Sequence, residues 1–181
     1  MIAALVNSYL IRVIPIGMAL LALQKTLFVE LRPFGVIVQL VLAFACSGAA
    51  AAGPEKGAIA GFTLGLIFDL SSGSPLGSSS IAFGVGAFVA GWIDVMRIET
   101  TWWLASLFVG LGSGVGEALV PVIRRFVGEE QAFSPRLATV VPVVAVSGAL
   151  LSIVFVPLGR WALKVPKPEW KGPAEAAVVK G

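Results

Sequence analysis

Long apolar stretches, separated by short groups of charged or turn-forming residues, run through most of this chain. Residues 34–52 and 137–159 contain no charged side chain, residues 101–123 contain only Glu117, and residues 57–96 contain only Asp69 and Asp94. A helix needs about 20 mostly apolar residues to cross the hydrocarbon core of a bilayer. The stretch 57–96 is therefore long enough for two crossings, and the turn-forming residues at 71–77 divide it.

The pattern predicts a bundle of six transmembrane helices with short connections. The expected spans are residues 4–24, 34–52, 57–70, 78–96, 101–123 and 137–159. The first span must hold Arg12, whose long side chain can reach the membrane surface. We expect residues 1–163 to form one all-α integral membrane domain. Residues 164–181, which are rich in charge and proline, are expected to form a disordered cytoplasmic tail.

Composition supports a membrane protein and excludes several kinds of chemistry. Hydrophobic residues make up 57% of the 181 residues and charged residues only 13%, against about 25% charged residues in soluble domains. The chain has no His and one Cys, Cys46, which excludes a disulfide within the chain, a His/Cys zinc site and a Ser-His-Asp mechanism. The net charge of +3 fits anionic lipid head groups and requires no nucleic acid.

Lys and Arg are distributed unevenly between the two sides of the predicted bundle. If the amino terminus is cytoplasmic, eight of the 13 basic residues fall inside and five outside. Because cytoplasmic loops carry the excess of Lys and Arg, we expect both termini in the cytoplasm. The charged connection 124–136 would then be external and is the weak point of this orientation.

Small residues recur every four positions on several predicted helices. Gly57, Gly61 and Gly65 form such a stripe on the third span, and Asp69 continues it. Similar stripes are Ala43/Ser47/Ala51, Ala82/Gly86/Ala90, Gly110/Gly114 and Gly112/Gly116. Small residues let membrane helices approach closely. The stripes predict either packing within the bundle or docking of a partner's transmembrane helix.

Two carboxylates, Asp69 and Glu117, lie within predicted spans, where ionisable groups are costly. For Asp69 we expect a structural cap on the following turn, or else a polar contact with a partner or ligand. Glu117 is expected to form a buried lock between spans, with Arg124 or Arg12 as its partner, or else to serve a proton or ion relay. No nucleophile, metal motif or cofactor motif accompanies the two acids, so we expect no enzyme activity and no cofactor.

One segment resembles a known family. Residues 53–77 read GPEKGAIAGFTLGLIFDLSSGSPLG, which resembles the signature of the rod shape-determining protein MreD family. That signature is a Gly-Pro turn, then G-x-x-x-G-F-x-x-G-L-x-x-D, then a short polar stretch ending in P-L-G. The resemblance extends upstream to Leu23, Gln24, Thr26 and Phe28, whereas the half after about Gly91 is similar mainly in layout.

The resemblance implies a fold similar to the S-components of energy-coupling-factor transporters. It also implies a non-enzymatic scaffold in the bacterial inner membrane that binds MreC, a single-span protein, and works with RodA, its partner transpeptidase and, indirectly, MreB. Together these proteins direct lateral peptidoglycan synthesis and rod shape. The alternative is an S-component-like carrier that binds a small molecule or lipid. The candidates for helix packing or a partner interface are Gly57, Gly61, Phe62, Gly65, Asp69, Pro75, Leu76, Gly77 and Glu117.

Overall fold

Six α-helices and no strand make up the part of the chain that the computed structural model describes, which is residues 9–26, 35–96, 102–129 and 135–164. The helices are α1 (Leu10–Thr26), α2 (Leu40–Ala52), α3 (Pro54–Ser72), α4 (Ser78–Val95), α5 (Trp102–Phe126) and α6 (Leu137–Ala162). The predictions for residues 4–8, residues 27–34 (with Phe28 of the resemblance and the first residue of the second span), the connection at 97–101, residues 130–134 and the tail beyond 164 lie outside the described residues.

Glycine and proline set the boundaries of the two tightest connections. Gly53 has φ +90° and is followed by Pro54 at the first position of α3, so α2 and α3 are joined by one non-helical residue. α3 ends at Gly73 with φ +65°, and α4 begins after Gly77 with φ +99°. Glycine adopts this left-handed conformation without the steric cost that a side chain adds. The turn predicted at 71–77 is confirmed at these positions.

The short helix α2 occupies the centre of the bundle. Eleven of its 13 residues are buried, and α2 packs against each of the other five helices. Helices α3 to α6 pack in sequence around it, each against the next, and α6 returns to α2. Helix α1 lies at the periphery and packs mainly on α2 and α3.

Three of the described helices are long and apolar enough to cross a membrane. These are α4, α5 and α6, and α2 is a shorter apolar helix. Helix α3 begins at Pro54 rather than at the predicted residue 57, and α5 and α6 continue past their predicted ends at 123 and 159. Charges marked the predicted ends, but a helix continues through them where its last turn is in the polar head-group region.

The prediction of a helix over the whole range 34–52 is wrong at its beginning. Residues 36–39 are not helical, and α2 begins only at Leu40. Val36 and Val38 are nevertheless buried. Non-helical backbone is tolerated at membrane depth where other protein segments cover it and satisfy its polar groups.

The tryptophans of the described residues lie at one end of the bundle. The start of α3 contacts α4 near its end, where Gly91 lies against Pro54. The start of α1 contacts the end of α6, where the Arg12 guanidinium donates to the Trp161 carbonyl at 3.3 Å. The exposed indoles at this end are those of Trp92, Trp102, Trp103 and Trp161. We call it the tryptophan end. Indole rings are enriched where helices meet lipid head groups.

Candidate functional site

The Asp69 carboxylate is fully buried between the end of α3 and the beginning of α4. Its Oδ2 accepts the backbone N–H groups of Gly77 at 2.9 Å, Ser79 at 3.1 Å and Ser80 at 3.3 Å, as well as the Ser80 hydroxyl at 3.2 Å. Its Oδ1 accepts the Ser79 N–H at 3.1 Å and the hydroxyls of Ser74 at 3.2 Å and Ser78 at 3.4 Å. We call Asp69 and these five donor residues the Asp69 cluster.

The Asp69 cluster is a helix cap supplied by the preceding helix. The first backbone N–H groups of a helix have no partner within that helix, and the partial positive charge there favours an anion. Asp69 satisfies those of Ser79 and Ser80 in the first turn of α4. Both carboxylate oxygens are therefore occupied by protein donors, which leaves this acid in a structural arrangement rather than open to a ligand.

The three glycines that precede Asp69 lie where other segments of the same chain approach α3. A Cβ on Gly61 would lie 2.6 Å from the Phe83 carbonyl oxygen, and one on Gly65 would lie 2.5 Å from that of Ser79. A Cβ on Gly57 would lie 2.6 Å from the Cα of Ala49 on α2. Such separations are too short for any side chain. These glycines therefore face α2 and α4 of this chain.

The other motif positions do not share this inward face. Phe62 is 48% exposed and Leu76 is 65% exposed. Pro75 is half-buried in the turn, and Gly77 donates its N–H to Asp69. The motif thus combines an inner part, which joins α3 to α4, with an outer part that is open to lipid or to another protein.

Glu117 is half-buried on α5 and is not paired as expected from the sequence. Its Oε2 has no hydrogen-bond partner among the described residues. Arg124 instead lies 4.0 Å from Glu129, and Arg12 is bound to the Trp161 carbonyl at the tryptophan end. Among the described residues, neither Arg12 nor Arg124 forms an ion pair with Glu117.

A polar contact that the sequence did not reveal joins α1 to the start of α2. Gln24 is only 4% exposed. Its Oε1 accepts the Val41 N–H at 3.2 Å, and its Nε2 donates to the Gln39 side chain at 3.0 Å. Gln24 therefore caps α2 from another helix, much as Asp69 caps α4. The sequence signals were the family resemblance, which includes Gln24, and an uncharged polar residue at the end of an apolar span.

The fold and the motif geometry define an all-helical protein with helices long and apolar enough to cross a membrane. The chain belongs to the MreD family, the rod shape-determining proteins, whose family model matches residues 6–165. This confirms the resemblance seen in the sequence and assigns the chain to a membrane-associated, shape-determining family that is not known as an enzyme family. Comparisons with curated proteins and with solved structures give no match.

Proposed function

We propose that this protein is a non-enzymatic scaffold of the rod complex in the bacterial inner membrane. It binds an MreC-like single-span protein and, with RodA, its partner transpeptidase and indirectly MreB, helps direct lateral peptidoglycan synthesis. The family match over residues 6–165 carries this proposal. The buried motif carboxylate supports it, because Asp69 holds two helices together instead of facing a substrate.

The proposed topology has six crossings with both termini in the cytoplasm. The helix most in need of explanation is α2, because its 13 residues extend only about 20 Å at 1.5 Å per residue. The non-helical residues before it can each add up to about 3.3–3.6 Å, which brings the segment close to the ~30 Å of a hydrocarbon core. Burial of Val36 and Val38 supports placing this segment inside the bundle.

We propose that the partner's transmembrane helix docks on the outer side of the α3–α4 hairpin. Several large apolar side chains of the hairpin are exposed, and we call four of them the hairpin face: Phe62, Leu66, Leu70 and Leu76. The first three recur at intervals of four residues, so they share one side of α3. Three of the four, Phe62, Leu66 and Leu76, are positions of the family-like motif, which distinguishes this surface from other lipid-facing surfaces of the bundle.

The alternative function is an S-component-like carrier of a small molecule or lipid. A carrier of that kind needs a ligand cavity among its helices. Here α2 fills the centre of the bundle with buried apolar and small side chains. We therefore favour the scaffold, while proposing that the helical arrangement itself is similar to that of S-components.

Co-purification with the native MreC-like protein tests both the scaffold and the hairpin face. The informative variant is Phe62→Ala combined with Leu66→Ala, and the matched control is Leu150→Ala, a 66% exposed residue on α6. We expect the double variant to recover several-fold less partner after mild detergent extraction, and the control to recover as much as the unmodified protein.

The possible outcomes separate the two claims. If the unmodified protein recovers no MreC-like partner from its native host, or if depletion leaves cell shape normal, the scaffold proposal fails. If the partner is recovered equally by the double variant and the control, the scaffold stands and the hairpin face is the wrong surface. Thermal unfolding in detergent checks that the variants fold.

A further inference from the structure

A groove lies between the beginning of α5 and the end of α6, away from the Asp69 cluster and the hairpin face. It encloses about 310 Å³. Trp102 and Arg160 line it at the tryptophan end, Ile153 and Val156 provide apolar walls, and Ser106 and Ser152 also line it. This combination of an apolar wall and one cationic side chain distinguishes the groove from an ordinary lipid-facing surface.

The hydroxyls in the groove are already satisfied, whereas the arginine is not. The Ser106 and Ser152 hydroxyl oxygens are 2.7 Å apart, and they lie 3.0 Å and 2.6 Å from the carbonyl oxygens of Trp102 and Ala149 on their own helices. Each hydroxyl has one hydrogen, so one donates to its helix carbonyl and the other donates either to its own carbonyl or to the first hydroxyl. Arg160 is exposed and has no hydrogen-bond or ion-pair partner among residues 9–26, 35–96, 102–129 and 135–164. The one group in the groove with free binding capacity is therefore a guanidinium, which carries five N–H donors and a permanent positive charge.

The sequence of α6 indicates how deep in the membrane Arg160 lies. Residues 137–159 are uncharged, so Arg160 is the first charged residue where the helix leaves the hydrocarbon core. Exposed indoles flank it at Trp102 and Trp161. The Arg12 guanidinium lies 5.1 Å from the centre of the Trp161 ring. Two guanidinium groups therefore contribute positive potential at head-group depth, beside a groove whose wall continues toward the membrane interior.

We propose that this groove binds an anionic phospholipid. The lipid phosphate pairs with Arg160, since guanidinium and phosphate form charge-assisted, bidentate hydrogen bonds. One acyl chain lies along Ile153 and Val156, which are the groove residues on the membrane side of Arg160. A free phosphate ion would leave this apolar wall unused, and a zwitterionic lipid would bring a cationic group to a site that is already positive.

Native mass spectrometry of the full chain tests the proposal. The protein is equilibrated in micelles containing equal amounts of phosphatidylglycerol and phosphatidylcholine, and the retained lipids are identified. We expect preferential retention of phosphatidylglycerol by the unmodified protein. Arg160→Gln should weaken that retention about fivefold, the effect of one basic residue near an anionic surface. Arg125→Gln, which removes the same charge from an exposed position at the other end of α5, should leave it unchanged.

A second pair of variants tests the apolar wall without changing charge. Ile153→Trp fills the groove and should also reduce phosphatidylglycerol retention, whereas Leu150→Trp, one turn away and equally exposed, should not. Equal retention by Arg160→Gln and Arg125→Gln overturns the proposal, as does equal retention of the two lipids by the unmodified protein. Competition by millimolar inorganic phosphate to the same extent as by lipid assigns the site to a free anion and likewise overturns it.

Discussion

The backbone N–H of Ser79 donates to both carboxylate oxygens of Asp69, each at 3.1 Å. The carbonyl oxygen of the same Ser79 lies 2.5 Å from the position that a Cβ on Gly65 would occupy. The glycine stripe and the acid that ends it therefore act on the same residue of α4. Gly65 allows the first turn of α4 to approach α3, and Asp69 satisfies the backbone groups of that turn.

Substitution of Gly65 by Leu should destabilise the protein more than substitution of Asp69 by Asn. The Gly65→Leu side chain meets the backbone of Ser79 and Ser80, which cannot yield without separating the helices, so we expect a loss of about 3 kcal/mol or more. Asp69→Asn keeps one acceptor oxygen but turns an NH₂ group toward backbone donors, at a cost of about 1.5–3 kcal/mol. Thermal or denaturant unfolding in detergent measures both losses.

Asp94→Asn is the control for the charge change, because Asp94 is an exposed acid on α4. It should change stability by less than about 0.5 kcal/mol. Equal stability of Gly65→Leu and the unmodified protein would contradict the packing argument. A loss at Asp94 as large as that at Asp69 would contradict the capping argument.

Substitution by alanine should affect stability differently at two glycines of α4, Gly84 and Gly86. A Cβ on Gly86 would lie 2.6 Å from the Gly112 carbonyl oxygen on α5, whereas a Cβ on Gly84 would lie 3.4 Å from the Ala58 carbonyl oxygen, an ordinary contact. We expect Gly86→Ala to destabilise by about 1–3 kcal/mol. Gly84→Ala should be neutral or stabilising by up to about 1 kcal/mol, because alanine is the better helix former. The difference in unfolding midpoint checks this, and a reversed order would refute it.

The Gln24 contact predicts a stability effect at the edge of the bundle. Gln24→Leu keeps the approximate size of the side chain but leaves the buried Val41 N–H without its acceptor. We expect a loss of about 1–3 kcal/mol. Thr26→Val is the control, since among the described residues the exposed Thr26 hydroxyl bonds only to carbonyls of its own helix. Similar unfolding curves for the two variants would show that Gln24 does not hold α2.

Glu117 should tolerate loss of its charge. Because no described arginine forms an ion pair with it, Glu117→Gln removes a charge that is unfavourable at this depth, and we expect stability to be unchanged or slightly higher. A buried ion pair would instead lose about 3–5 kcal/mol when one partner is removed. In the Arg124–Glu129 pair Glu129 is exposed and Arg124 is half-buried, so Glu129→Gln should change stability by at most about 1 kcal/mol. A large loss at Glu117 in unfolding measurements would restore the buried-lock interpretation.

The sequence predicted the elements that depend on local patterns. Apolar runs located the helices, and Gly73, Gly77 and Pro54 located the connections of the α2–α3–α4 segment. The capping role of Asp69 was one of two stated alternatives, since carboxylates near serine-rich turns accept local backbone donors. The motif from Gly53 to Gly77 was sufficient to identify the family, because its glycines and its acid have fixed spacing on one helix.

The tertiary structure decided which of these residues meet. Periodicity places Gly65 and Asp69 on one side of α3, but only the approach of α4 shows that both act on Ser79. The sequence pattern also left open the central position of α2, the non-helical residues 36–39 and the contact of Gln24 with Val41. These features depend on contacts between segments far apart in sequence. In an apolar chain nearly every helix face is equally hydrophobic, so composition alone does not distinguish a face that meets lipid from one that meets another helix.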